Sequence, residues 1–524
     1  MKAHLLYRDR DLDVDAELPS NHGDLEQDLE IGTLLGAMAA GDRFIYDVSR
    51  RVLHSSLVDP EEIRYRQEVL ADCLAHSDVI RGMYELIVAA LGDRKGFWSY
   101  RSSARMILHG SIESLEAFAR RLGELRKIVD EHGEGFRSEG MRTLTTTVRE
   151  EIDDSYLQTV RDHLKQLHFR DGHLLSARLD RDNSGVDYVL RYPLGTKTGW
   201  RGRLGIGGKA TSCSFSIPPR DEAGNQQLDE LVERAVNSVA NAVAQSADHI
   251  ESFFTMLRSE LGFYVGCLDL SERLASIGEP MTCPEPCGTE PVSYSCEGLC
   301  DVSLVLQTGG RVVGNDVTAD GRPLVIVTGA NSGGKSTFLR SVGLAQLMMQ
   351  SGMFVVAESY RASVSSRILT HFIREEDRTM RSGRLDEELR RMDAVADEIT
   401  RHCLVLFNES FAATNEREGS EIGRQVVQAL LERDVRVVFV THRFELADGF
   451  RRSQPGTTRF LRAERGPDGR RTFELVVADP LPTSYGEDLY HRIGGWLGEE
   501  GVGSGEEGAG SEGAGLGEEA AAAG

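Results

Sequence analysis

Apolar residues recur at three- and four-residue spacing through residues 34–53, 62–74, 79–91 and 112–129, the period of a helix with one buried face. Pro60 behind Asp59 reads as a helix start, with Ile63, Val69 and Leu70 on one side of the helix that follows. Beyond residue 173 the period shortens. Runs at 174–179, 186–192 and 212–217 alternate like strands, Gly-rich turns divide them, and Pro218 and Pro219 close the block. Helical spacing returns from about residue 229 to 274, with interruptions expected at Gly262 and Gly266. Farther on, 302–306 reads as a strand, and the apolar runs 324–328, 403–407 and 435–440 read as buried strands. The pattern predicts a mainly α-helical core and lever domain over 25–280, with a small β module inserted at about 170–220 between two helical arms. An α/β domain follows over 281–498, and residues 1–24 read as an N-terminal extension.

Length agrees with this division, because 524 residues exceed what one core usually holds. The hydrophobic share of 40% is that of a soluble globular chain, and no apolar run reaches membrane-spanning length. No apolar leader follows a basic start, so a cytoplasmic protein without membrane contact is expected. The net charge of −23 argues against a generally basic nucleic-acid coat. Part of that charge sits in residues 499–524, a tail dominated by Gly, Ala, Glu and Ser without Lys or Arg. Such a segment buries too little apolar surface to offset its ordering entropy, and it reads as disordered.

The β module departs from the acidic balance. Arg170, Arg178, Arg181, Arg191, Lys197, Arg201, Arg203 and Lys209 face only Asp171, Asp180, Asp182 and Asp187, a local surplus of four positive charges. Beside Tyr188, Tyr192 and Trp200, the residues Arg191, Lys197, Arg201, Arg203 and Lys209 could hold a DNA backbone. A solvated β face is the alternative. Cys283, Cys287, Cys296 and Cys300 form a C-x3-C…C-x3-C array, which leaves two readings open: a four-thiolate zinc site, or free thiols in a reducing cell.

The strongest chemical signal follows the run 324–328. Gly329, Ala330, Asn331, Ser332, Gly333, Gly334, Lys335 and Ser336 fit G-x4-G-K-[ST], and a helix is expected over 337–350 with Gly352 as its cap. The glycines let backbone N–H groups close around phosphate oxygens, and a helix beginning near Thr337 adds positive potential. Lys335 can neutralise the β- and γ-phosphates of ATP, and the Ser336 hydroxyl can ligate Mg²⁺. The run 403–407 delivers Asn408 and Glu409 at its end, the Walker B arrangement. Glu409 is placed to orient or deprotonate the attacking water, while Asn408 stands where a Mg²⁺-side aspartate is usual and holds the ion through water. The run 435–440 ends in Thr441 and His442, and a histidine there can sense the γ-phosphate.

The stretch from Thr328 through the phosphate loop to Ala357 resembles the ATPase domain of the MutS DNA mismatch repair family. The likeness continues through Glu376, Asp377, Ser382 and Gly383 to Asn408 and Glu409, then Thr441 and His442, then Ser484, Tyr485 and Gly486. Upstream, Asp59 and Pro60 with Ile63, Arg64, Tyr65, Arg66 and Gln67 are similar to the start of the family's helical core. The helix pair around the β module is similar to its levers and clamp, so the likeness spans roughly residues 25–495. The resemblance implies a P-loop ABC-type ATPase domain that works as a dimer on DNA, with two composite ATP sites and Mg²⁺.

There are departures. The family's mismatch reader is an N-terminal domain with a Phe-x-Glu wedge, whereas this chain's sole Phe-x-Glu, Phe407 to Glu409, lies inside the Walker B strand. Mismatch reading is therefore not expected. Arg384 to Leu389 replace the family's Ser/Thr-rich signature after Gly383, and Ser410 to Thr414 replace its glycine-arginine-glycine-threonine turn after Glu409. No nuclease-type extension follows. The leading reading is a dimeric ATP-switched machine acting on DNA; the alternative is an ATP-binding clamp or scaffold with little turnover.

Overall fold

The structure is a computed structural model, and it describes every residue except 1, 95–102, 170–173, 183–184, 192–215, 219, 331–332, 375–382, 467–470 and 483–524. Its first half is helical: α1 (His22–Asp28), α2 (Ile31–Ala39), α3 (Arg43–His54), α4 (Pro60–Ala75), α5 (Ser77–Arg94), α6 (Ala104–His132), α7 (Glu139–Glu151) and α8 (Asp154–Leu167). An antiparallel hairpin, β1 (Leu175–Leu179) and β2 (Gly185–Leu190), precedes the long helix α9 (Glu222–Ile277). Next come β3 (Glu285–Cys287), β4 (Tyr294–Leu299), α10 (Val302–Thr308), β5 (Asn315–Thr318), β6 (Leu324–Gly329), α11 (Lys335–Gln350), β7 (Ser359–Ser363) and β8 (Ile368–Phe372). The described chain ends with α12 (Arg384–Asp397), β9 (Leu404–Asn408), α13 (Glu416–Leu431), β10 (Arg436–Val440), α14 (Phe444–Ser453), β11 (Thr458–Arg465) and β12 (Arg471–Val477).

The apolar stretch 34–53 is helical as its spacing predicts and divides into α2 and α3, because Ala40 and Gly41 take positive φ and the Asp42 carboxylate caps α3 by accepting from the Phe44 N–H. Several expectations are corrected. The run 302–306 is helical: Asp301 Oδ1 accepts from the N–H groups of Ser303 and Leu304, starting α10. A short apolar run carries too little period to tell strand from buried helix. The long helix is unbroken over 56 residues, roughly 80 Å at the helical rise. Gly262 and Gly266 serve close packing there instead of a break. A Cβ on Gly266 would stand 3.0 Å from Ile45 Cγ2 and 3.1 Å from Ser49 Oγ, so the glycine lets α3 lie against α9. Of the run 212–217, residues 212–215 lie outside the described residues, and Ser216 and Ile217 are not in a strand.

Residues 4–12 are tied into the helical core. Leu5 and Leu6 are fully buried, and the buried Glu260 of α9 accepts from the N–H groups of Leu5 (2.6 Å) and Leu12 (3.1 Å). Tyr264 and Tyr65 donate hydroxyl hydrogen bonds to the carbonyls of Leu5 and His4.

Two sheets build the C-terminal half. A four-stranded sheet in the order β3-β7-β4-β5 was not foreseen from the sequence. The six-stranded sheet has the order β12-β11-β6-β10-β9-β8, parallel except for the edge strand β12. Its side chains alternate between two separate apolar clusters. Val325, Val327, Leu404, Leu406, Val438 and Val440 join α11 and the helical half in one continuous core. Leu324, Ile326, Val405, Phe407, Val437 and Phe439 pack under α12, α13 and α14. No helix among the described residues is long and apolar enough to cross a membrane.

Candidate functional site

Strand order brings the expected site residues together. β6, β10 and β9 are adjacent and parallel, so the phosphate loop, Thr441 with His442, and Asn408 with Glu409 emerge at the same carboxyl edge. Gly329 has φ +111° and Gly334 φ +90°, a region only glycine enters cheaply. A Cβ on Gly329 would lie 2.9 Å from the Ala463 backbone nitrogen of β11, and one on Gly333 2.8 Å from Ala463 Cβ. The loop is thus pressed onto its neighbouring strand, and larger residues would push it away.

Helix α11 starts at Lys335 without a side-chain cap, so its first-turn N–H groups face the loop. Ala330 and Thr337 flank this turn, while Asn331 and Ser332 lie outside the described residues. The Lys335 ammonium is buried and donates to the carbonyls of Gly329 and Ala330, both at 3.0 Å. Burial lowers its pKa, Glu409 opposes that, and Arg471 of β12 adds to it. Ser336 Oγ donates to Asn408 Oδ1 at 2.9 Å, so the two expected Mg²⁺-side residues stand face to face.

Glu409 follows β9 in the left-handed region, with φ +53°. Its N–H donates to the Val440 carbonyl, which fixes the turn against β10. Its Oε2 accepts from the His442 N–H (3.1 Å) and from His442 Nδ1 (2.6 Å). That hydrogen bond raises the imidazole's pKa, burial opposing. His442 is therefore bonded to the carboxylate itself, half-exposed at the mouth of the site.

The residues present fit MgATP. The glycine cradle leaves no room for a Cβ, an uncapped helix start and a buried ammonium supply positive potential, and a hydroxyl and an amide oxygen offer hard ligands to a small cation.

Two supports of the site went unnoticed in the sequence. Arg443 is buried and donates to the carbonyls of Thr414, Asn415 and Glu416, gripping the turn that follows Glu409. His371 on β8 lies under the same turn, within 2.7 Å of Ser410 Oγ. Neither sits in a motif; only its place beside the Thr-His pair pointed to Arg443.

Elsewhere the expected groups are scattered or undescribed. Arg191 is exposed and donates to Ser176 Oγ across the hairpin, and Arg178 pairs with Asp187. Lys197, Arg201, Arg203 and Lys209 lie outside the described residues, as do Glu376, Asp377, Ser382 and residues 484–486. The four cysteines diverge: Cys296 Sγ faces Tyr294 and Asn315, Cys300 Sγ faces Glu279 and Val312, and Cys283 is exposed. No group of three metal-ligating residues occurs among the described residues, so this arrangement speaks against the zinc reading.

Comparison with known proteins finds matches in both halves. Residues 58–277, from the start of α4 to the end of α9, match the MutS2 N-terminal domain, and residues 325–486, from β6 onward, match MutS domain V. The chain is a MutS-like family member. It is 33% identical over 160 residues to Endonuclease MutS2 of Thermus thermophilus, covering 30% of this chain and 21% of that protein. It is 35% identical over 137 residues to DNA mismatch repair protein MutS of Thermotoga petrophila, 26% of this chain and 17% of that one. With Probable DNA mismatch repair protein Msh6 of Drosophila melanogaster it shares 36% over 133 residues, 25% of this chain and 11% of that one. The chain spans at most about a fifth of the length of these curated relatives. In this MutS-like chain the phosphate loop, the Asn408 and Glu409 pair and His442 all fall inside the segment matched to domain V.

Proposed function

We propose that this MutS-like chain binds ATP with Mg²⁺ at residues 329–337 and hydrolyses it slowly, working as a homodimer on DNA in mismatch-repair-related maintenance. One observation carries the reading: Lys335, the Ser336–Asn408 pair and the Glu409–His442 pair converge at the carboxyl ends of three adjacent parallel strands. This is the arrangement that in-line hydrolysis of a nucleoside triphosphate requires. Glu409 takes the proton of the attacking water as its oxygen bonds to the γ-phosphorus. The bond to the β–γ bridging oxygen breaks, and ADP and phosphate leave. Lys335 and the α11 N-terminus hold the phosphate charge, and His442 keeps the Glu409 carboxylate turned toward the mouth of the site. Ser336 and Asn408 hold Mg²⁺, which supplies charge neutralisation on the phosphates.

The names of the relatives support DNA as the partner. In this proposal DNA runs along the basic module through Arg191, Lys197, Arg201, Arg203 and Lys209, and the protein is cytoplasmic. The deciding experiment is steady-state ATP hydrolysis titrated against duplex, branched and single-stranded DNA at two salt concentrations. Stimulation by one DNA form, lost at the higher salt and in a variant with Arg201, Arg203 and Lys209 changed to Glu, supports the reading. Hydrolysis indifferent to every DNA form points to a protein partner.

A second reading is favoured by Asn408. An amide in place of a carboxylate holds Mg²⁺ without a full charge, which suits an ATP-switched clamp with little turnover. Asn408→Asp should then lower the Mg²⁺ concentration needed for half-maximal nucleotide binding.

A further inference from the structure

Beneath the turn that carries Glu409 lies a polar cluster in an otherwise apolar layer. His371 is fully buried on β8, its ring stacked on Phe411 with centroids 5.5 Å apart. Nδ1 is 2.7 Å from Ser410 Oγ, and Nε2 is 3.0 Å from the Glu388 carbonyl of α12. Burial drives the imidazole's pKa down to about 4, so the ring is neutral near pH 7 and carries one N–H. A carbonyl oxygen can only accept, which puts that hydrogen on Nε2. Nδ1 is then an acceptor for the Ser410 hydroxyl, whose one hydrogen is shared between the ring nitrogen and the His371 backbone carbonyl, 2.6 Å away. This tautomer makes His371 a bridge with one bond to α12 and one to the residue next to Glu409.

The turn needs such a bridge. Glu409 and Phe411 have φ of +53° and +63°, and neither is a glycine. A left-handed bulky residue persists only where its surroundings over-determine it. Glu388, itself buried, touches the turn a second time through its carboxylate, which accepts from the Ala413 N–H at 3.3 Å. Thus α12 meets the turn on both sides of Phe411, at Ser410 through His371 and at Ala413 directly.

We propose that His371 is a positioning residue: through Ser410 it ties the orientation of Glu409 to the placement of α12, so that a shift of α12 turns hydrolysis up or down while the phosphate loop stays as it is. The inference rests on the reading of Glu409 as the base. A histidine that merely filled the core could be exchanged for a phenylalanine of similar size without touching turnover.

The test compares ATP turnover and affinity for a fluorescent ATP analogue in the full chain and in Glu409→Gln, Ser410→Ala, His371→Phe and His371→Asn. Ser410→Ala and His371→Phe should lower kcat by about tenfold, the rate equivalent of one charge-free hydrogen bond, with analogue affinity held within about twofold. His371→Asn places its amide oxygen near the position of Nδ1, so it keeps an acceptor for Ser410 and should recover part of the rate. Ser410→Ala removes a single oxygen atom, and with it the bonds to both the ring and the backbone carbonyl of His371. It therefore tests the tie between the turn and β8 even if the His371 variants fail to fold, and the Asn rescue isolates the ring's share. Unchanged kcat in Ser410→Ala and His371→Phe, with Glu409→Gln inactive, overturns the proposal and leaves the base in place. A Glu409→Gln variant as active as the parent overturns the base reading, and this inference with it.

Discussion

The two faces of the six-stranded sheet are both apolar but are joined to different things. On one face α11 lies between the sheet and the helical half, and the apolar cluster runs without interruption from β6 to α9. Polar contacts reinforce that joint. Gln350 and Leu57 exchange hydrogen bonds, the fully buried Arg66 of α4 donates to the Ser351 and Leu6 carbonyls, and Arg340 pairs with Asp301 and Glu30. On the other face α12, α13 and α14 close a smaller cluster of their own, and there the contacts of Phe407, Phe411 and His371 back the Glu409 turn. Lys335 is thus backed by the helical half, and the Glu409 carboxylate by a layer apart from it. On the proposed function, nucleotide binding and hydrolysis can then be perturbed separately.

The largest effect is expected on the first side. Lys335→Ala should abolish binding of a fluorescent ATP analogue, because the ammonium is the loop's own buried cation, held over the Gly329 and Ala330 carbonyls. Retained affinity would sink the assignment of the loop. On the second side, Glu409→Gln should slow hydrolysis by about 100- to 10,000-fold, the usual worth of a general base, while the analogue still binds. Sedimentation with ATP should also show more dimer than the parent. Normal hydrolysis by this variant would place the base elsewhere.

Stability should divide along the same line. Phe439→Ala, in the α13 and α14 layer, and Leu339→Ala, on α11, each remove a fully buried side chain, at a cost of about 3–5 and 2–5 kcal/mol respectively. Hydrogen exchange separates them. Phe439→Ala should lose amide protection in α13 and α14 first, whereas Leu339→Ala should lose it in α11 and in α2 and α3 together. Equal spread from both sites would mean the two clusters unfold as one.

What the sequence disclosed follows from the range of each interaction. The phosphate loop, the Asn408 and Glu409 pair and His442 were legible because each sits at the end of a local strand pattern. Their convergence needed only parallel neighbours. Gly262 and Gly266 misled because a glycine that admits a neighbouring helix looks, in one dimension, like a glycine that ends its own. Pairing of the short strands β3, β4, β5 and β7 is set by partners up to 76 residues apart, and no local period records it. His371 and Ser410 meet across two strands, 39 residues apart, and each alone looks like any buried polar residue.

The smallest expected effect is a pH dependence at the far end of the helical joint. Glu260 is buried in α9, and burial pushes its carboxyl up to about 7 from an ordinary value of 4.5, although the N–H groups of Leu5 and Leu12 pull the other way. A carboxyl whose folded pKa is raised favours the folded state fully below its unfolded pKa. That contribution is lost as pH rises through the folded value. The loss therefore falls between about pH 4.5 and pH 7.5, and is on the order of 1–3 kcal/mol. Other groups titrate in this window, so the measurement is a difference: denaturant unfolding of the parent and of Glu260→Gln at pH 5, 6, 7 and 8. The glutamine cannot ionise, and the parent's stability relative to it should fall steadily across the series. Parallel curves would mean that the Leu5 and Leu12 amides hold the carboxylate ionised throughout, and that the N-terminal residues are clasped by a permanent charge.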